Sequence, residues 1–425
     1  MYKFASAADT AIYESGLKSP VSVLGIRLLV KYASGSVFTV PKKKIITPGV
    51  NLLSQAVNSN SFNLGSCCID TLSVSTTLDA PGVKGSKVNS TQFILEAGYG
   101  TSEDNIKYVP LGYYRMQEKS CSKKNGKYDL KLQSFMSALD RNLPKKFDYG
   151  SKTVKEWLEW LCTKIKVRNV AGSDQDEYMH LSEDIDYSIL QNQDFSYAIT
   201  SDTGYETYRD MLKDLAVVSG AFATFDRGGG LILKPFRAGN LADSVEARRI
   251  LSLSEAMNTF SVEQIRCVTT ETSESGEEQE VDYSQPADYS GSAYYDISGL
   301  KIFDTLADRT IMAGIAQRLY NVLGSTSYSP VPFETEVVTP DFRLDVGDWI
   351  SVEDIDGTTK SAQIMKIEYS IPGRAKYSSY QNPSNTDQNA TQRSSYTSPK
   401  PSTGGGGGGG TTVVIDQTAQ WAFNS

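Results

Sequence analysis

The chain contains a single histidine, His180, among its 425 residues. It stands in a polar segment, DQDEYMHLSEDIDYS, with no serine motif nearby, so proton relay through an imidazole has little to rest on and His180 reads as a solvated loop or edge residue. Cysteine is also scarce: Cys67, Cys68, Cys121, Cys162 and Cys267 form an odd set without C-x-x-C spacing. That pattern gives neither a zinc site nor a disulfide framework, and the five are expected to be reduced and mostly buried. No apolar run approaches the ~18 residues that span a bilayer. The N-terminus, MYKFASAADTAIYESG, lacks the basic region, apolar core and small-residue cleavage site of a secretory signal, so the product is expected to be cytoplasmic when made. A basic field is missing too. Net charge is −8, and Lys and Arg are scattered apart from Pro41-Lys42-Lys43-Lys44 and Lys123-Lys124. Both clusters read as loop or strand-edge charges, which leaves no surface for direct sequence-specific nucleic-acid binding.

Catalytic signatures are equally thin. Asp226-Arg227-Gly228-Gly229-Gly230 would need a helix after it and a Lys-Ser/Thr to cradle phosphate, but a strand-like run follows, so it reads as a hairpin turn. No G-x-S-x-G occurs. Glu183 with Asp184, and Glu353 with Asp354, are acidic pairs of a kind too common to mark glycan cleavage. Asp354 and Asp356 beside Gly357 resemble half of a calcium loop, yet the twelfth position lacks its acid, and they read as turn residues. Cys67-Cys68 falls within an alternating pattern and reads as two small core residues rather than a reactive thiol. The sequence therefore predicts no catalytic residue, no cofactor and no metal. Its 24 tyrosines suit a sugar-binding face, sheet surfaces or a protein interface alike.

The pattern that is present is mostly β. At this length two to four domains are expected. Residues 1–148 read as a first β-domain: VSVLGIRLLVKYA is in near alternation, SVFTVPKKKIITPGV gives two short runs broken by prolines, and NLGSCCIDTLSVST joins a glycine turn to Ile69, Leu72 and Val74. Gln92 to Leu95, Tyr108 to Met116 and Tyr128 to Leu132 add strands, and SFMSALDRNLP closes with a short helix stopped at Pro144.

Residues 149–248 change period. Val154, Trp157, Leu158, Leu161 and Ile165 share one helical face, with Thr153 or Ser151 as cap, and Tyr208, Met211, Leu212 and Leu215 form the stripe of a second helix. A hairpin, AFATFDRGGGLILKPF, completes a helical α+β unit. Residues 249–382 return to β-structure around an acidic insertion, SESGEEQEVDYSQPADYSGS, expected as a loop or exposed arm, and one helix with Ile311, Ile315, Leu319 and Val322 buried. LDVGDWISVEDIDGTTKSAQIMKIEYSI then forms a hairpin about Asp356-Gly357, with Phe333 to Val338 as a third strand of one meander, part of a small barrel. Residues 383–410 are a Ser/Asn/Gly-rich linker ending in seven glycines, and 411–425 form a β-prone peptide. Its apolar residues Val413, Val414, Ile415, Trp421 and Phe423 are the candidate partner-docking residues, by strand addition.

This succession resembles the baseplate or tail hub proteins of bacteriophages and related contractile injection machines, including the structural module of tail-associated lysins. The pieces that carry the resemblance are PLGYYRM, YDLKLQSFMSALDRNL and FATFDRGGGLILKPF, and it extends over about residues 1–382. It implies an α+β, mainly β fold with two tube-like β-barrel domains, an inserted helical domain and a flexible C-terminal tail. It also implies a homotrimer whose six barrels continue a six-fold tail tube, with partners in the tube or distal tail ring and in a tip, spike or fibre protein, and residence in the virion. Two other readings fit the same sequence: a carbohydrate- or receptor-binding tail protein, and a tail-associated cell-wall hydrolase.

Overall fold

The computed structural model describes residues 1–379 except 20–21, 57–61, 88–90, 145–147, 169–176, 238, 240, 246–248, 256–261, 273–275, 292, 307, 325, 329–332, 354–355 and 372. The fold is α+β and mainly β. The linker at 383–410 and the peptide at 411–425 lie outside the described residues.

Seven strands come from the first segment: β1 (Val23–Tyr32), β2 (Val37–Pro41), β3 (Ile45–Gln55), β4 (Thr71–Thr77), β5 (Thr91–Gly100), β6 (Ile106–Ser122) and β7 (Lys127–Ser134). They belong to an eleven-stranded sheet that runs on into the last segment. From one end its order is Ile250–Glu255, Phe333–Val338, Arg374–Ser378, Lys366–Ile371, β3, β4, β7, β6, β5, β1, β2. Every ladder in it is antiparallel, and the join is the register from Lys366↔Gln55 to Ile371↔Val50. The strands form where the sequence alternates: Leu72, Val74 and Thr76 of β4 are buried between more exposed neighbours, as are Phe333, Thr335 and Val337. β5 is buried almost throughout. A helix that the sequence reading did not find, α1 (Ala7–Lys18), covers it. Ser6 accepts from the Asp9 amide as its cap, Tyr13 and Leu17 are buried, and a Cβ on Gly16 would lie 2.7 Å from the Gly100 nitrogen, so only glycine permits this approach.

In the middle segment, α2 (Val154–Lys164) and α3 (Tyr208–Val218) form as their stripes require. Each begins with a threonine capping box, Thr153 with Glu156 and Thr207 with Asp210. Val154, Trp157, Leu158, Leu161 and Ile165 are fully buried, and the Trp157 indole donates to the Tyr197 carbonyl at 2.8 Å. The expected hairpin pairs Ala221–Phe225 with Leu231–Pro235. Asp226 sets its turn by accepting from the amides of Gly228 and Gly230, both at 2.8 Å.

Several expectations need correction. The short helix expected in SFMSALDRNLP is present as a 3-10 helix, Phe135–Leu139, which ends before Pro144. Cys67 and Cys68 are buried, but they precede β4, and Cys67 forms an isolated bridge to Ala223. The last helix, α4 (Ile311–Leu323), buries Ile315 and Leu319 as expected, but with Met312, Ala316 and Leu323, while Ile311 and Val322 are only half-buried against the core. The single meander divides in two. Trp349–Glu353 and Thr359–Gln363 pair about Gly357 and make a three-stranded sheet with Leu241–Val245, which runs parallel to the first, whereas Phe333–Val338 and Lys366–Ile371 belong to the large sheet. The break at Ile364-Met365 is the irregularity expected near Lys366, and there the chain passes from one sheet to the other.

Buried side chains from all three segments form one contiguous core. At their meeting point the Phe62 and Phe236 rings lie 4.9 Å apart, Phe222 and Phe236 5.2 Å, and Phe62 and Tyr295 5.6 Å.

Candidate functional site at the sheet edges

The large sheet has two unlike ends. Among the described residues no ladder joins β2 to Ile250–Glu255, so the sheet is open and each terminal strand has one unpaired side. Both ends carry large apolar side chains into solvent: Val37 is 54% exposed and Phe38 37% on β2, and Leu251 is 49% exposed at the other end. An exposed apolar edge is a template for another strand, and stable monomers usually blunt it with charge, proline or a covering element. Here Pro41 and Lys42 stand only at the end of β2.

Away from these edges, a clamp of charged groups on the loop 341–348 ties the first and middle segments to the last. The Asp341 carboxylate is fully buried. It accepts from the Tyr13 hydroxyl at 3.0 Å, from the Arg343 amide at 2.9 Å and from the Arg343 guanidinium at 2.7 Å. Arg343 also pairs with Glu14 at 2.8 Å, so α1 is tied to the loop twice. Arg227, in the hairpin turn of the middle segment, donates to the carbonyls of Pro110 at 2.9 Å, Phe342 at 2.6 Å and Leu344 at 2.5 Å. β6, the helical unit and the loop thus converge on one guanidinium, whose planar fork suits several fixed acceptors. Lys234 adds a pair with Asp345 at 2.7 Å and donates to the Val346 carbonyl at 2.8 Å. Burial alone would push the Asp345 carboxyl up, but the charges of Lys234 and Arg227 and the Lys234 hydrogen bond hold it down at about 2. Nearby, burial outweighs the Gln55 amide hydrogen bond and pushes Asp70 up to about 7.

The residues weighed for chemistry are dispersed. His180 is exposed, and its carbonyl accepts from the Leu231 amide at 2.8 Å. Glu183 and Asp184 are exposed, and Asp354 lies outside the described residues. Val413, Val414, Ile415, Trp421 and Phe423 also lie outside them. Among the described residues no group of three His, Cys, Asp or Glu could hold a metal ion, and no helix is long and apolar enough to cross a membrane. Many tyrosines go to the core: Tyr13, Tyr99, Tyr114, Tyr197, Tyr295, Tyr328 and Tyr377 are fully buried. The sequence reading missed the clamp. Its one visible signal was charge in an apolar setting, Asp345 and Asp348 within LDVGDW and Arg227 between Phe225 and Leu231.

Neither a family model nor a curated protein matches the chain. Solved structures similar to it include phage tail and baseplate proteins. A prophage tail protein from Listeria monocytogenes EGD-e is 11% identical, with 83% of this chain and 94% of that one covered at a TM-score of 0.45. A tail protein from Neisseria meningitidis MC58 is also 11% identical, over 83% and 96% at 0.46. The 43 kDa tail protein of prophage MuSo2 from Shewanella oneidensis is 12% identical, over 83% and 97% at 0.45.

Proposed function

We propose that this chain is a structural hub at the distal end of a bacteriophage or phage-like tail, and that three copies close into a ring adapting the six-fold tube to a tip or spike. The observation that carries this reading is the open sheet with two unlike, apolar edges. When one end of a subunit meets the opposite end of the next, the contact is heterologous, and a heterologous contact closes into a ring if its rotation divides a full turn. In this reading β1–β7 and the strands of the last segment supply two tube-like barrel positions per copy, six in the trimer. The clamp on the loop 341–348 fixes the angle between them. Virion residence and the partners above and below the ring follow from the same role.

Val413, Val414, Ile415, Trp421 and Phe423 are the docking residues of this reading, adding a strand to a tip or fibre protein at the end of a glycine tether. Truncation after residue 410 is expected to leave ring formation intact and to remove the chain from assembled tips; tips of unchanged composition would sink the docking role. The hub itself is tested by native mass over a concentration series with negative-stain averages. The expected result is a three-copy ring with six similar lobes. A strict monomer at every concentration, or an open polymer, would overturn it.

A further inference from the structure

A concavity of about 510 Å³ opens between the strand Val268–Thr272 and the turn that leads into α4, lined by Glu271, Tyr283, Leu306, Asp308, Arg309 and Thr310. Its polar groups are held in place by bonds near at hand. The Tyr283 hydroxyl donates to Glu271 Oε1 at 2.8 Å, and Arg309 Nη1 donates to the Thr269 hydroxyl at 3.1 Å and to the Thr270 carbonyl at 2.9 Å. Asp308 Oδ1 accepts from the Thr310 amide at 2.9 Å and from its hydroxyl at 2.6 Å. Groups fixed in this way lose little freedom when a ligand arrives.

Each of the three charged groups keeps capacity. Glu271 Oε2, Asp308 Oδ2 and the Nε and Nη2 of Arg309 have no partner among the described residues. A carboxylate oxygen only accepts and a guanidinium nitrogen only donates, so one recess offers both functions. Several ligand classes fail on that lining. An anion meets two carboxylates against a single guanidinium. A metal ion meets the guanidinium, and among the described residues no group of three His, Cys, Asp or Glu could hold one. An apolar molecule finds only the Tyr283 ring and Leu306. A hydroxyl both donates and accepts, so neighbouring hydroxyls on one ring answer the carboxylates and the guanidinium together. The C–H face of such a ring matches the apolar part of the lining, where Tyr283 and Leu306 are half-buried and packed against the core.

We infer that this concavity is a saccharide-binding site, in which Glu271 and Asp308 accept from ring hydroxyls, Arg309 donates to a sugar oxygen, and Tyr283 with Leu306 covers the C–H face. The site goes beyond the hub reading and does not depend on it. It gives the chain a hold on glycan whether or not copies of the chain associate.

The test is saturation-transfer NMR on the full chain with the methyl glycosides of glucose, galactose, mannose and N-acetylglucosamine, each titrated to about 20 mM. A dissociation constant on the order of 1 mM is expected for at least one, the affinity that a ligand of this size reaches in an open site. Glu271→Gln with Asp308→Asn keeps the shape of both side chains and leaves an oxygen to accept from Tyr283. It is expected to weaken binding by about tenfold or more, because a neutral amide accepts less strongly than a carboxylate. Circular dichroism checks its folding, and Asp308→Asn alone, at an exposed position, gives an independent arm with an expected loss of about threefold. Glu278→Gln with Glu280→Gln makes the same charge change on the other strand of the hairpin and is expected to leave binding unchanged. Absence of saturation transfer from every glycoside, equal affinity in the Glu271/Asp308 variant and wild type, or an equal loss in the Glu278/Glu280 control overturns the site. None of these outcomes bears on the hub reading, which the native mass decides.

Discussion

Lys234 and Asp345, 111 residues apart in sequence, meet at 2.7 Å and join the hairpin of the middle segment to the loop that enters the last sheet. Neither group is fully shielded, with side-chain exposures of 18% and 25%. Replacing Lys234 by Met would leave the carboxylate with the charges of Arg227 and the N-terminus and the Val346 amide at 2.9 Å. A fully buried pair broken in this way costs about 3–5 kcal/mol, and the partial exposure here lowers the expectation to about 2–3 kcal/mol. Urea unfolding of the variant at pH 7 measures it; a loss below about 0.5 kcal/mol would mean that the pair does not hold the clamp.

Acid should weaken the same clamp. The Asp345 carboxyl is held at about 2 in the fold, below its ordinary value of 3.8. Its contribution is therefore fully present above about pH 4 and is lost as pH falls from there toward 2.

Asp70 gives the opposite slope. Its carboxyl is pushed by burial from 3.8 up to about 7, so the folded chain holds a proton that the unfolded chain has released. Stability falls as pH rises from about 4 to 7, by up to about 4 kcal/mol, and levels off above. Asp70→Asn keeps an oxygen to accept from the Gln55 amide, which lies 3.1 Å away in the wild type, and is expected to remove that slope and stabilise the chain at pH 8. Parallel denaturation curves at pH 5 and 8 decide it. Identical pH dependence in variant and wild type would exclude Asp70 as the source.

The sheet edges can be tested without touching the core. Val37→Lys with Leu251→Lys places charge on both exposed edges. Monomer stability should move by no more than about 0.5 kcal/mol, because both side chains already face solvent. Ring formation should weaken by about tenfold or more, because a charged edge strand resists pairing. Rings that form at wild-type concentrations would show that the contacts lie elsewhere.

Gly65 is a position of backbone necessity. Its φ is +70°, and a Cβ there would stand 2.3 Å from the Lys213 carbonyl oxygen at the end of a turn of α3. Gly65→Ala is expected to cost at least about 1–3 kcal/mol through the left-handed backbone alone, with the clash adding to it. Thermal melts against wild type show this directly, and an unchanged midpoint would contradict the geometry.

Much of the secondary structure was legible in the residues, because the forces that form it act over a few positions. Thr153 and Thr207 cap helices within one turn, Val154 to Ile165 repeat at helical spacing, and Leu72 and Val74 alternate as a half-buried strand must. α1 escaped notice because its apolar face is narrow, only Tyr13 and Leu17 beside Gly16, and because it is settled by packing on β5. In α4 the expected Ile315 and Leu319 are buried, but Met312 and Leu323 are buried in place of Ile311 and Val322, since Ile311 and Met312 are equally apolar and only the surface that α4 packs against chooses between them. Pairing across the chain was beyond local reading. Phe333–Val338 and Trp349–Glu353 look like neighbours in one meander, yet they lie in different sheets, and Lys366–Ile371 pairs with β3 more than 300 residues earlier. Strand order, the two open edges and the convergence of Arg227, Lys234 and Asp341 on one loop depend on contacts between distant residues. No local propensity encodes them; burial and hydrogen bonding across the assembled core select them.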